Sequence, residues 1–191
     1  MLIADVHVTL DIACRESPFK LITWEEGESI RDSFEAGGSS PRKIIVQPDA
    51  FFQLKDSRLP EGQNRRTFFL EVDRSTMLVK PRAGSQRFRD KIERYGWFID
   101  HGRPFERHGV RSIRIVTLTL INARRDNLCA DTDAFLREND LTRLRKFFLF
   151  GSLKDVKLFQ PATILDSVFR RPGESTAYPL FPALAELWAS A

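Results

Sequence analysis

Apolar and polar residues alternate with period two through "TFFLEVD", residues 67–73. Phe68, Leu70 and Val72 fall on one parity, and Phe69, Glu71 and Asp73 on the other. That period predicts a strand with its two sets of side chains on opposite faces. One face is apolar and the other ends in two carboxylates, so either that face is solvated or the acids have a task. Upstream, Val6, Leu10 and Ala13 or Cys14 in "ADVHVTLDIACRES" keep helical spacing. "SPFKLITWEE" then reads as a strand with a proline at its start, and "GESIRDSFEAGGSSPR" as a loop with at most a short helical turn. "KIIVQPDAFFQL" reads as one strand interrupted at Pro48, and "KDSRLPEGQNRR" as a hairpin-like turn leading into 67–73.

Downstream, the helix signal is strongest from Ser85 to Gly102. Phe88, Ile92, Tyr95 and Ile99 form an i, i+4, i+7, i+11 stripe. Lys91 lies at the edge of that stripe, whereas Asp90, Glu93 and Arg94 are expected in solvent. "SIRIVTLTLIN" is a buried strand, "DTDAFLRENDL" a helix capped by Asp or Thr, and "KFFLFGSLKDV" a short strand. "ATILDSVFRRPG" reads as a further strand and "FPALAELWASA" as a closing short helix. The order implies an α/β domain with a central mixed sheet flanked by helices. Antiparallel pairing is expected near the start. A right-handed parallel crossover should join 67–73 to 112–122. The 191 residues suit one domain, with a core over about 5–150 and a C-terminal extension, 151–191, packed on it.

Composition adds little beyond this. Hydrophobic residues make up 42% and charged residues 29%, and sixteen Phe against two Tyr point to a Phe-rich core. A net charge of +4, carried mostly by arginine, permits a nucleic-acid partner without requiring one. Cys14 and Cys129 lie far apart with no partner motif, and read as buried small residues of a reducing cytoplasm. His7, His101 and His108 show no zinc spacing. No signal peptide or membrane-length apolar run is present.

The chemistry concentrates in the acids. If 43–52 pairs with 67–73, one face can gather Asp49, Glu71 and Asp73, with Gln47 nearby. Such acids repel one another unless protonated or neutralised by a cation. Their oxygens suit Mg²⁺ or Mn²⁺, and an ion so held activates water at a phosphodiester. Lys91 would orient that water or stabilise charge on phosphate. The plainer readings are a solvated strand face for Glu71 and Asp73, a turn-forming aspartate at 49, and a snorkelling Lys91. Arg65, Arg66, Arg74, Arg82, Arg87 and Arg89 flank the acids in sequence, as candidates for backbone phosphate contacts or simply for solubility.

"QPDAFF", "FFLEVDRST" and "KIERYGWF" together resemble the PD-(D/E)XK (restriction-endonuclease-like) nuclease superfamily. More narrowly they resemble the replication-relaxation family, with its "PD" strand, "E-x-D-R-x-T" strand and "K-x-x-x-Y" helix. The matching positions are Pro48 and Asp49; Glu71, Asp73, Arg74 and Thr76; and Lys91 and Tyr95. His7 and Trp24 also resemble the family's lead-in to this domain, and the likeness covers roughly residues 5–122.

The resemblance implies a restriction-endonuclease-like core. Asp49 and Glu71 would be metal ligands, Asp73 and Lys91 catalytic, and Gln47 and Tyr95 supporting. It also implies a role in plasmid replication or mobilisation, through DNA contacts of low sequence specificity and through replication or mobilisation proteins. The superfamily normally places a lysine two residues after the second acid, where this chain has Asp73. The family's usual N-terminal winged helix is not represented in this sequence. A metal-dependent DNA nuclease or nickase therefore stands beside a catalytically inactive DNA-binding or protein-interaction module.

Overall fold

The computed structural model describes residues 3–37, 41–73, 81–166 and 168–181, with the backbone alone for 81–87. Arg74 and Thr76 lie outside the described residues, as do the side chains of Arg82 and Arg87 and the helix expected in 182–191.

Helix α1 spans Ile3–Arg15 and buries the apolar stripe Val6, Leu10, Ala13 and Cys14. Strands follow at Phe19–Glu25 (β1), Asp32–Ala36 (β2), Arg42–Val46 (β3), Ala50–Asp56 (β4) and Arg65–Asp73 (β5). Helix α2 covers Pro81–Asp100 and a short α3 covers Arg103–His108. Then come β6 (Arg114–Thr119), α4 (Asn122–Glu138), β7 (Phe148–Ser152), β8 (Phe169–Arg170) and β9 (Ala177–Tyr178). A seven-stranded mixed sheet runs in the order β1-β4-β5-β6-β7-β8-β9, and β2 and β3 form a separate two-stranded sheet.

The pairing around the acids agrees with the expected order. β1 and β4 are antiparallel, as are β4 and β5 with Ala50 opposite Leu70. After α2, β6 returns parallel to β5 with Glu71 opposite Thr117, and β7 continues in parallel. The carboxyl ends of β5, β6 and β7 therefore emerge along one rim of the sheet.

Both faces of this sheet are covered. Phe52, Phe68, Leu70, Val116, Leu118 and Leu149 meet α1 and the C-terminal segment around Ile164 and Leu180. On the other face Phe51, Phe69, Ile115, Phe148 and Phe150 meet α2, α4 and the β2–β3 hairpin. The Phe-rich core is thus real, with eight phenylalanines buried along the strands and α2: Phe51, Phe52, Phe68, Phe69, Phe98, Phe148, Phe150 and Phe169. Cys14 and Cys129 are buried thiols, and burial pushes their pKa values up to about 11 and about 12. His7 stacks on Trp24 with ring centroids 4.3 Å apart, and Trp24 in turn stacks on Phe52, so these rings fix α1 against the sheet.

Several expectations are corrected. The chain from 43 to 54 is two strands in two sheets: Pro48, with no N–H to donate, sits where β3 leaves the hairpin and β4 joins the main sheet. "DSFEA", expected as loop, is β2, paired with β3 from Asp32–Val46 to Ala36–Arg42. Helix α4 starts at Asn122, well before the expected Asp131 or Thr132, and Thr132 is buried mid-helix. Its first half reads as polar because one of its inward-facing residues is Arg125. "ATILDSVFRRPG" is a 3-10 turn at Pro161–Leu165 followed by only the two residues of β8.

Candidate active site

Glu71 lies near the carboxyl end of β5, on the face covered by α2, and is 4% exposed. The solvated-face reading is excluded for it. A carboxylate buried so deeply needs compensation, and α2 supplies it. Lys91 Nζ donates to Oε2 at 2.6 Å, and the Tyr95 hydroxyl donates to Oε1. Lys91 and Tyr95 are four residues apart on one helix, so both reach the same carboxylate. The edge position of Lys91 is thereby explained: the stem follows the apolar stripe while the ammonium turns to the sheet.

Burial dominates the electrostatics. It raises the Glu71 pKa above the ordinary carboxylate value, against the lowering effect of Lys91, while the nearby Asp49 charge raises it further. The Tyr95 phenol is held well above its usual value by burial and by the Glu71 charge.

Asp49 sits just before β4, opposite the end of β5. Its N–H donates to Leu70 O at 2.9 Å, and its Oδ2 accepts the Val72 N–H at 2.7 Å. It therefore ties the start of β4 to the strand segment that carries Glu71. A cavity of about 150 Å³ opens beside the pair, lined by Gln47, Glu71, Lys91, Arg94 and Tyr95. Arg94 is exposed, as expected, and stands at the cavity mouth.

Asp73 lies two residues beyond Glu71 but its carboxylate turns to α4, accepting from Arg124 Nε at 2.6 Å. It does not line the Glu71 cavity. The adjacent Arg125 is buried and pairs with Asp126 and Asp155, and Ser152 at the end of β7 donates to Asn122. These polar groups stiffen the rim where β5, β6 and β7 end. Nothing near Asp73 in sequence announces Arg124. The basic pair Arg124–Arg125 just after a buried strand was the available signal.

Among the described flanking arginines, Arg65, Arg66 and Arg89 do not gather around the acids. Arg65 and Arg66 start β5, roughly 20 Å from Glu71 at the rise of a strand. Arg66 donates to the Gln63 carbonyl and lies over Phe181. Arg89 is bound to Asp131 and Glu138, joining α2 to α4.

Asp49, just before β4, does not line this cavity, whose side-chain oxygens include those of Glu71 and Gln47. Mg²⁺ is commonly held by one or two carboxylates, completed by water and substrate phosphate. Among the described residues no group of three or more His, Cys, Asp or Glu side chains is placed to hold an ion. An ion held by Asp49 and Glu71 would have to draw the rest of its shell from water or substrate. No helix among the described residues is long and apolar enough to cross a membrane. No family model, curated protein or solved structure matches this chain.

Proposed function

We propose that this chain is a DNA-acting domain of the PD-(D/E)XK nuclease-like kind, allied by its motifs to replication-relaxation proteins. Asp49, Glu71 and Lys91 would form its Mg²⁺- or Mn²⁺-dependent phosphodiester-cleaving site. Support for the fold comes from the order of elements: a helix (α1), three antiparallel strands in a row (β1, β4, β5), a crossover helix (α2) and a parallel strand (β6).

The observation that carries the activity is the 2.6 Å contact from Lys91 on the crossover helix to the buried Glu71 carboxylate, beside Asp49. In this reading Asp49 and Glu71 hold the ion. When bound, the ion supplies a water of lowered pKa and neutralises charge on phosphate. Tyr95 fixes the Glu71 carboxylate, and Lys91 and Arg94 at the cavity offer cationic donors to phosphate oxygens. Supercoiled and single-stranded circular DNA incubated with Mg²⁺ or Mn²⁺ test this. The native chain should nick or cut, and Glu71→Gln or Lys91→Ala should slow it at least about 100-fold. Cleavage by neither ion, or full activity in Glu71→Gln, would sink the assignment.

One observation favours a second reading, a nuclease-like module that binds DNA or a replication or mobilisation protein without cutting. Lys91 and Tyr95 already take both oxygens of Glu71, and Asp73 stands where the superfamily has its lysine. DNA retention that weakens steeply with salt, without strand scission, would favour it.

A further inference from the structure

Between α4 and the β8–β9 hairpin lies a cavity of about 640 Å³, within the roughly 300–1,000 Å³ of small-ligand clefts. It sits on another side of α4 from the contacts that Arg89 makes with Asp131 and Glu138. Four guanidiniums line it: Arg125 and Arg137 from α4, and Arg170 and Arg171 from β8 and the turn after it. Two are matched, Arg125 by Asp126 and Asp155 and Arg137 by Asp133. The other two make no ion pair with a carboxylate among the described residues. Arg170 donates to the Ser175 carbonyl at 2.7 Å, and Arg171 lies over the Tyr178 ring, its Cζ 3.8 Å from the centroid.

The wall also holds the carboxylates of Asp126, Asp133 and Glu174, and one unused donor. The Nε of Arg171 is buried without a hydrogen-bond partner. Behind the wall the Arg145 guanidinium is paired with Asp133 at 2.6 Å. Arg145 packs against Gly173, where a Cβ would come within 2.9 Å of its Cζ and 2.7 Å of Asp133 Oδ1. Gly173 has φ +76°, so the turn approaches this closely only as glycine. Buried donors are nearly always satisfied, and the one left over on Arg171 calls for an acceptor from outside. The Tyr178 hydroxyl donates to Glu174.

We infer that this cavity binds a phosphate group, held by the adjacent guanidiniums of Arg170 and Arg171, at a site separate from Glu71. Planar forks match phosphate oxygens two at a time, and two neighbouring forks offer more donors than a single carboxylate accepts. The group belongs either to a small free phosphate or to a nucleic-acid backbone. Stacking on Tyr178 keeps one fork extended before the ligand arrives.

Titration calorimetry at low salt, with pyrophosphate and with a single-stranded oligonucleotide as probes, tests this. At least one probe should bind the native chain, and Arg170→Gln/Arg171→Gln should weaken it tenfold or more. Glu71→Gln should bind as the native chain does, which keeps this result independent of the nuclease-like reading. Pyrophosphate binding alone identifies a free phosphate as ligand. Oligonucleotide binding that pyrophosphate displaces identifies a phosphodiester backbone. If the paired variant does not fold, Arg171→Lys carries the same test, with a several-fold loss expected because charge is kept and the fork removed. Absence of binding by both probes, unchanged affinity in the folded arginine variant, or loss of binding in Glu71→Gln would overturn the inference.

Discussion

Lys91 Nζ stands 2.6 Å from Glu71 Oε2, joining the crossover helix to the strand it serves across a carboxylate that is 4% exposed. The Tyr95 hydroxyl holds the other oxygen. Removing a donor from a buried carboxylate leaves its desolvation uncompensated. Tyr95→Phe should therefore cost about 1–3 kcal/mol, read as a shift in the urea midpoint. Lys91→Ala should fall at the lower end of that range, because its side chain is 45% exposed and solvent screens part of the loss. Combined with Glu71→Gln, either change should cost less than the sum of the single effects. Strict additivity would mean that these side chains are not coupled.

The same burial sets a pH dependence. The folded-state pKa of Glu71 is raised above the ordinary carboxylate value of 4.5, so the unfolded chain releases this proton first. As pH rises past about 4.5, the native state binds more protons than the unfolded state, and the contribution of this group to stability falls. Glu71→Gln should thus gain stability relative to the native chain as pH rises through that window. Unfolding midpoints between about pH 4 and 8 check it, and a difference that stays flat would be the contrary result.

His108 works in the opposite direction. Its ring stacks on Phe51 with centroids 4.6 Å apart, meets Phe69 edge-on, and has a buried Nε2 without a partner. Burial lowers its pKa below 6.5, helped by Arg107 and opposed by Asp32. Below pH 6.5 the unfolded chain takes up a proton that the native chain resists, so stability is lost as pH falls. His108→Phe should flatten this acid limb. NMR titration should place the His108 midpoint below 6.5, and a midpoint above 6.5 would contradict the packing described.

Gly151 in β7 marks close packing on the other face. A Cβ there would lie 2.8 Å from Phe169 Cε1 and 2.9 Å from Leu118 Cδ2. Both neighbours are fully buried, so neither yields easily. Gly151→Ala should cost about 1–3 kcal/mol by overpacking. A neutral result in thermal unfolding would show that the Phe169 ring can move aside.

These relationships were unequally legible in the sequence. The alternation in 67–73 located β5 and put Glu71 and Asp73 on one face, and the helical stripe put Lys91 at an edge from which it reaches Glu71. Both are period arguments that need no tertiary knowledge. The partner of Asp73 was not legible, because Arg124 belongs to a helix start disguised by "NARRD", whose buried member is itself an arginine held by Asp126 and Asp155. Pro48 looks in the sequence like an interruption of one strand, whereas it marks a change of sheet, which local pattern does not encode. The flanking arginines illustrate the same limit. Arg65 and Arg66 are near Glu71 in sequence and at the far end of β5 in space.

The central claim is that Asp49 and Glu71 form one cation site that Lys91 neutralises when no ion is present. Mn²⁺ titration by calorimetry tests it most directly, on the native chain and on Glu71→Gln, each with and without a DNA duplex to complete the ion's shell. The expected result is binding at one site by the native chain, tighter with DNA, and its loss in Glu71→Gln. Mn²⁺ binding that survives Glu71→Gln, or none even with DNA, would contradict the claim and leave Glu71 as a structural partner of Lys91 and Tyr95.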